Sequence, residues 1–230
     1  MATTKAQRYG ILVILIATVL GTVGSFAVMI LTTKSNAANA AKYQKASDQY
    51  TKLEQDYQSK VQAQADQLSS QYYATFSPYE STPAKFDINS VSKLSTEDLV
   101  VGDGAEITGS TGFSAYYIGW DANGRIFDQS IDTSTNKLKA PLAVDTGLDN
   151  ASLIAGWKTG MKGMHIGGIR LITIPSDRAY GEQGSTDSSG NQIIAPNMPL
   201  KFIVMAIPSP TPVPQPDVTK LLETMQETQQ

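Results

Sequence analysis

The sequence has no cysteine and a single histidine in 230 residues. The first absence removes a disulfide framework, a cysteine nucleophile and thiolate-based zinc or iron–sulfur sites. One histidine, His165, removes a multi-histidine centre within the chain, so no metal or other cofactor is expected. Charge is also scarce: 18 basic and 21 acidic side chains leave a formal net charge of −3. The basic excess is confined to residues 1–45, with five basic groups and no acid, whereas 98–207 carry eight against eleven. No basic face remains for a polyanion, so nucleic acid is not an expected partner. Catalytic motifs are missing too. There is no Gly-x-Ser-x-Gly elbow. Gly102-Asp-Gly104 and Gly167-Gly168 lack the context of nucleotide-binding loops, and the scattered acids offer no glycosidase pair.

What the N-terminal region does have is one long apolar run. Ile11–Leu31 carries no charge over 21 residues. At about 1.5 Å per residue, that makes roughly 31 Å of helix, enough to cross a hydrocarbon core of about 30 Å. The short head, 1–10, contains Lys5 and Arg8 and is expected to stay in the cytoplasm, with the rest of the chain outside. Ala38-Asn39-Ala40 has the small-x-small form of a cleavage site, but the run is longer than a usual signal. The expectation is a single-pass anchor at 11–31 in contact with membrane lipid. Cleavage near Ala40 would instead release a secreted form.

Composition divides the remainder. Residues 38–75 contain no Gly or Pro, and Tyr43, Ala46, Tyr50, Leu53, Tyr57, Val61, Ala65, Leu68 and Tyr72 recur at steps of three or four. This is a helix with a weak apolar stripe. It reads as a weak self-association helix or as a stalk lying against a globular domain, and its place after the apolar run favours a spacer. Ser77-Pro78 and Thr82-Pro83 end it, leaving 76–97 as a linker with room for one short strand or turn. Residues 98–207 predict strands at 104–109, 112–120, 125–130, 141–145, 166–174 and 200–207, with Asn123-Gly124 as a hairpin turn. A short helix is predicted within Asn150–Thr159, with Leu153, Ile154 and Trp157 on one face. The class is α+β. Residues 208–230 form a tail: proline at every second position through Pro216 makes an extended spacer, and Asp217 caps up to three loosely attached helical turns.

Tyr117, Phe127, Trp157, Tyr180 and Phe202 are spread over strands, helix and loop. On composition they are either an ordinary core or the lining of a pocket. Four blocks in order then carry a resemblance. Tyr117-Ile-Gly-Trp-Asp-Ala-Asn-Gly-Arg-Ile-Phe-Asp-Gln-Ser130 resembles the strand–turn–strand signature of the FKBP-type peptidyl-prolyl cis/trans isomerases. Leu153-Ile-Ala-Gly-Trp157, with Gly160-Met161 and Met164, resembles the family's helix and following turn. Ala179-Tyr-Gly181 resembles its flap, and Ile193-Ile-Ala-Pro196 with Leu200-Lys-Phe202 its last loop and strand.

The resemblance implies a curved antiparallel sheet of five or six strands wrapped around one short helix, over residues 98–207. It also implies a pocket. Trp157 would be the floor under a substrate proline, with Tyr117, Phe127 and Phe202 as walls. The backbone N–H of Ile154 and the hydroxyl of Tyr180 would bind substrate carbonyls, and Asp128 would hold neighbouring polar groups in place and face the twisting amide. Leu142, Leu153 and Ile194 would complete the substrate-binding surface. Two features depart from the family pattern: Leu142 stands where a phenylalanine is common, and the loop 182–192 is longer and more polar than the minimal form.

The implied activity is rotation about X–Pro bonds of unfolded or maturing secreted or envelope polypeptides, with macrolide-type inhibitors as a further ligand class. Amide rotation meets a barrier of about 18–20 kcal/mol. A pocket that favours the less dipolar twisted amide lowers it without a nucleophile or metal. The alternative is a non-catalytic FKBP-like binding or chaperone module in a membrane-associated assembly.

Overall fold

The computed structural model describes residues 37–228. The head 1–10 and the apolar run Ile11–Leu31 therefore lie outside the described residues. Among the described residues no helix is long and apolar enough to cross a membrane. The described residues form two compact units, one of Gln64–Thr211 and one combining 37–63 with 212–228.

Helix α1, Ala37–Phe76, runs 40 residues, as a stretch without Gly or Pro permits. A 3₁₀ turn at Ser77–Ser81, with Pro78 in its first turn, replaces the helix there. The sheet of the larger unit then begins with β1, Ser95–Val100, and continues with β2, Phe113–Asp121, and β3, Ile126–Gln129. Two short pieces, β4 (Ile131–Asp132) and β5 (Lys137–Leu138), pair with each other, and β6 (Leu142–Val144) pairs with β2. Helix α2, Ala155–Gly160, precedes β7, Ile169–Ile174. A small hairpin of β8 (Ser185–Thr186) and β9 (Gln192–Ile194) leads to β10, Leu200–Ile207. The main sheet has six strands in the order β1-β7-β10-β2-β3, with β6 on β2, and its pairs are all antiparallel.

Strand alternation sends two apolar sets to opposite faces. Phe113, Ala115 and Tyr117 of β2, Phe202, Val204 and Ala206 of β10, and Ile172 and Ile174 of β7 join one core with Trp157 and Met161. The backbone of α2 lies almost on β7. A Cβ at Gly156 would sit 2.3 Å from Ile174 Cγ2, and one at Gly160 would sit 2.6 Å from Ile172 Cγ2. Arg170, in β7 and 6% exposed, pins the end of α2 by donating to the carbonyls of Gly160 (2.9 Å) and Lys162 (3.1 Å). It also makes a two-pronged pair with Asp98 of β1 at 2.6 and 3.0 Å.

The second face is buried as well. Tyr116, Ile118, Trp120, Ile203, Met205 and Ile207 pack with Phe76, against which Leu68, Tyr72, Tyr73 and Tyr79 are laid. Phe76 has no exposed surface. Ser69 Oγ accepts the Leu138 N–H at 2.8 Å, and Lys137 pairs with Asp66 at 2.8 Å. The last turns of α1 are thus a layer of this unit rather than a spacer. Its compact extent is 64–211, wider than the 98–207 expected from composition.

Three further expectations change. Residues 104–109 make an isolated bridge, Glu106 to His165, instead of a strand. Thr108 and Thr111 divert the backbone there into a turn, Thr111 Oγ1 accepting the Thr108 N–H at 3.0 Å. Residues 150–154 are not helical: Ile154 is extended (φ −61°, ψ 149°) and α2 starts after it. The tail is not loose. In the smaller unit α3, Thr219–Glu227, buries Met225 among Tyr43 and Ala46, with Tyr50 and Leu221 alongside.

Candidate functional site

The first aromatic of the site is set by the pairing of β2 with the chain that follows β3. Tyr117 donates its N–H to Ser130 Oγ at 2.9 Å, and its carbonyl accepts the Ser130 N–H at 2.8 Å. The hairpin then brings Phe127 and Asp128 alongside, with Asp128 in register with Gly119, while β10 places Phe202 opposite that same glycine. Trp157 enters from α2. Its ring meets Tyr117 edge-on at 5.4 Å between centroids and Phe202 edge-on at 5.4 Å, and Phe127 meets Phe202 the same way at 5.5 Å. Such perpendicular pairs set positive ring edges against negative faces.

Gly119 makes this arrangement possible. A Cβ there would lie 2.6 Å from Phe202 Cε1 and 2.8 Å from Phe127 Cζ. It occupies the one position where both walls converge. Sequence reasoning placed the glycine only as part of a motif; its steric reason comes from the three-strand register.

Polar groups gather at one edge of the aromatic cluster. The Tyr117 hydroxyl donates to Asp128 Oδ2. Burial raises the Tyr117 phenol strongly above its ordinary range, and the neighbouring Asp128 charge and that hydrogen bond push it the same way. Tyr180 is likewise raised, first by burial and then by the Asp128 charge, so both phenols stay protonated donors. Tyr180 is 39% exposed. It follows the 3₁₀ turn Ser176–Arg178 and is the one aromatic of the expected set outside the packed cluster.

Ile194 is buried in that cluster, and Leu142, Leu153 and Ile154 pack against it partly exposed. Because the chain is extended through Ile154, the helix begins with this residue's carbonyl, which accepts from Trp157 N at 3.0 Å and Lys158 N at 3.2 Å. No hydrogen bond among the described residues engages its N–H. His165 lies elsewhere, its Nδ1 2.9 Å from the Gly104 carbonyl oxygen in the turn before β7. Among the described residues no group of His, Asp and Glu is arranged to hold a metal. What the geometry offers is an apolar, aromatic surface with two neutral phenolic donors and one carboxylate beside it.

Comparisons with known proteins bear on this site. Residues 103–207 match the family model described as FKBP-type peptidyl-prolyl cis-trans isomerase. The FK506-binding protein of Neisseria meningitidis serogroup A is 36% identical over 111 residues, covering 48% of this chain and 91% of that one. FK506-binding protein 4 of Dictyostelium discoideum is 38% identical over 113 residues, covering 49% of this chain and only 27% of that longer protein. Among solved structures, AtFKBP13 has 32% identity and a TM-score of 0.43, with 51% of this chain and 93% of that one covered.

Proposed function

This chain belongs to the FKBP-type peptidyl-prolyl cis-trans isomerase family, and from that premise we propose how and where it acts. The observation that carries the reading is the set of edge-on rings around Trp157, with the Tyr117–Asp128 hydrogen bond at its rim. A substrate proline rests on Trp157 between Tyr117, Phe127 and Phe202. Leu142, Leu153 and Ile194 extend the apolar surface to the flanking side chains. The Ile154 N–H and the Tyr180 hydroxyl hold substrate carbonyls. Asp128 is a positioning group: it fixes the Tyr117 hydroxyl.

Rotation about the X–Pro bond passes through a twisted amide that has lost its resonance and part of its dipole. An apolar surface disfavours the planar, more dipolar ground state, and donors aimed at the twisted carbonyl stabilise the transition state selectively. No proton moves and no covalent bond forms. The substrates we propose are unfolded or maturing proline-containing polypeptides outside the cytoplasmic membrane, with macrolide-type molecules as competitors for the same surface. Ile11–Leu31 is the anchor that keeps the enzyme there, in contact with lipid, with residues 1–10 inside.

Isomerisation of a short proline-containing peptide by the full chain tests the catalytic part. Phe127→Ala should cost more turnover than Tyr180→Phe, because losing a wall admits water as well as removing contact. Equal activity of Phe127→Ala and wild type would contradict the pocket. For location, protease admitted through the outer layers of the envelope should digest residues 64–211, and complete protection would contradict an outward orientation.

A further inference from the structure

The β2–β3 hairpin carries a charged pair that the proposed reaction does not use. Asp121, 2% exposed, spends its carboxylate on the turn: Oδ1 accepts the N–H groups of Asn123 (3.0 Å) and Arg125 (3.1 Å). Its Oδ2 accepts from Arg125 Nε at 3.1 Å. The carboxylate thereby aims the guanidinium, whose other end donates from Nη2 to the backbone carbonyl of Ile193, 68 residues further along the chain. Ile193 lies in β9, beside Ile194, which is 1% exposed in the aromatic cluster.

The segment 181–197 has few other polar links. Its remaining hydrogen bonds among the described residues stay inside it. Ser185 pairs with Ile194, Asn197 N donates to Gly181 O at 2.8 Å, and Asp187 accepts from Ser189 and Asn191. Among the described residues, the Arg125–Ile193 bond is thus its one hydrogen bond to the β2–β3 hairpin. A long polar loop that ends on pocket residues at both sides, Tyr180 before it and Ile194 near its close, loses entropy when held in one conformation. A planar, permanently charged guanidinium aimed by a buried carboxylate is well suited to oppose that loss.

We propose that Arg125 is a positioning residue of the isomerase, tethering the 181–197 segment to the β2–β3 hairpin and so holding Ile194 and Tyr180 at the pocket. The inference rests on the pocket proposed above, and its test separates the two.

Hydrogen exchange and peptide isomerisation are measured on the full chain for wild type, Arg125→Ala and Arg125→Lys. In Arg125→Ala, amides of 185–194 should exchange about tenfold faster while those of β10 are unchanged, and kcat/KM per folded molecule should fall about two- to tenfold, the range of one hydrogen bond. Arg125→Lys, with a charge but no fork, should fall between the two. Unchanged exchange at 185–194, or an equal rise in β10, overturns the tether; a localised rise in exchange with unchanged kcat/KM, the wild type being active, overturns the positioning role. A wild type that does not isomerise the peptide overturns the pocket reading and with it Arg125's positioning role in turnover, while the exchange data still decide the tether.

Discussion

Replacing Gly119 by alanine adds one methyl group at the point where the two aromatic walls meet. Its Cβ would stand 2.6 Å from Phe202 Cε1, 2.8 Å from Phe127 Cζ and 2.9 Å from Phe202 Cδ1, whereas ordinary contact begins near 3.4 Å. Relief therefore takes about 0.8 Å at Phe202 and about 0.6 Å at Phe127, the differences between those distances. Phe202 is 4% exposed and faces Trp157 edge-on, so its shift also presses on that ring. Phe127 is only partly buried and gives way more easily. Overpacking of this kind costs about 1–3 kcal/mol of stability. The catalytic loss should exceed what that destabilisation explains, because both displaced rings are walls of the proposed pocket. Per folded molecule, kcat/KM for a proline peptide should drop about tenfold or more, since small misplacements at a reacting centre are costly. The assay is exchange-limited isomerisation at a temperature where a thermal melt shows the variant folded. A Gly119→Ala protein that melts lower but turns over within about twofold of wild type would refute the claim that these rings bound the reacting amide.

Three further outcomes are expected. Phe76→Ala should lose about 3–5 kcal/mol in urea unfolding, because a fully buried ring is removed from the outer core; a fragment starting at 96 should melt well below one starting at 64, and equal melts would return the end of α1 to the role of a spacer. Asp98 is held below the usual carboxylate range, first by its hydrogen bond from Arg170. Its contribution is complete above the unfolded value of about 3.9 and is lost as pH falls through the lower folded value. The stability gap between wild type and Asp98→Asn should therefore be constant near neutrality and close in acid, and a gap that widened below pH 4 would reverse the sign. His165→Ala should leave turnover per folded molecule unchanged, since its ring serves a turn; abolished turnover would mean that proton transfer is required.

The inner half of the structure was legible because it is local and patterned. The Asn123-Gly124 turn joins β2 to β3, and β10 spans the residues its apolar run predicts. The outer half was misread as a spacer, and the signal for it lies in the strands rather than in the helix. β2 reads Phe-Ser-Ala-Tyr-Tyr-Ile-Gly-Trp-Asp and β10 Leu-Lys-Phe-Ile-Val-Met-Ala-Ile, with little polar alternation. Strands apolar on both faces need cover on both faces. Leu68, Tyr72 and Phe76 supply it, but nothing in their own spacing distinguishes a stripe that docks on a sheet from one that faces water. The 76–97 linker has room for a short strand, but the place and extent of β1 were not legible, because Ser-Thr-Glu-Asp-Leu-Val is an exposed edge strand set by pairing with β7. Of the candidate site, the grouping of Tyr117, Phe127, Trp157 and Phe202 beside Asp128 was legible through the four motif blocks, whereas Tyr180 stands outside the packed cluster. The steric role of Gly119 and the reach of Arg125 to Ile193 were not, since both depend on which strands become neighbours.

The central claim is that X–Pro bonds turn over on the Trp157 floor. It is tested most directly by NMR exchange between the cis and trans forms of a proline-containing peptide, with the full chain and with Trp157→Leu. Wild type should broaden and merge the two sets of resonances at catalytic concentration. Trp157→Leu, once a melt shows it folded, should leave them separate at the same concentration. Equal exchange rates for the two proteins would contradict the account.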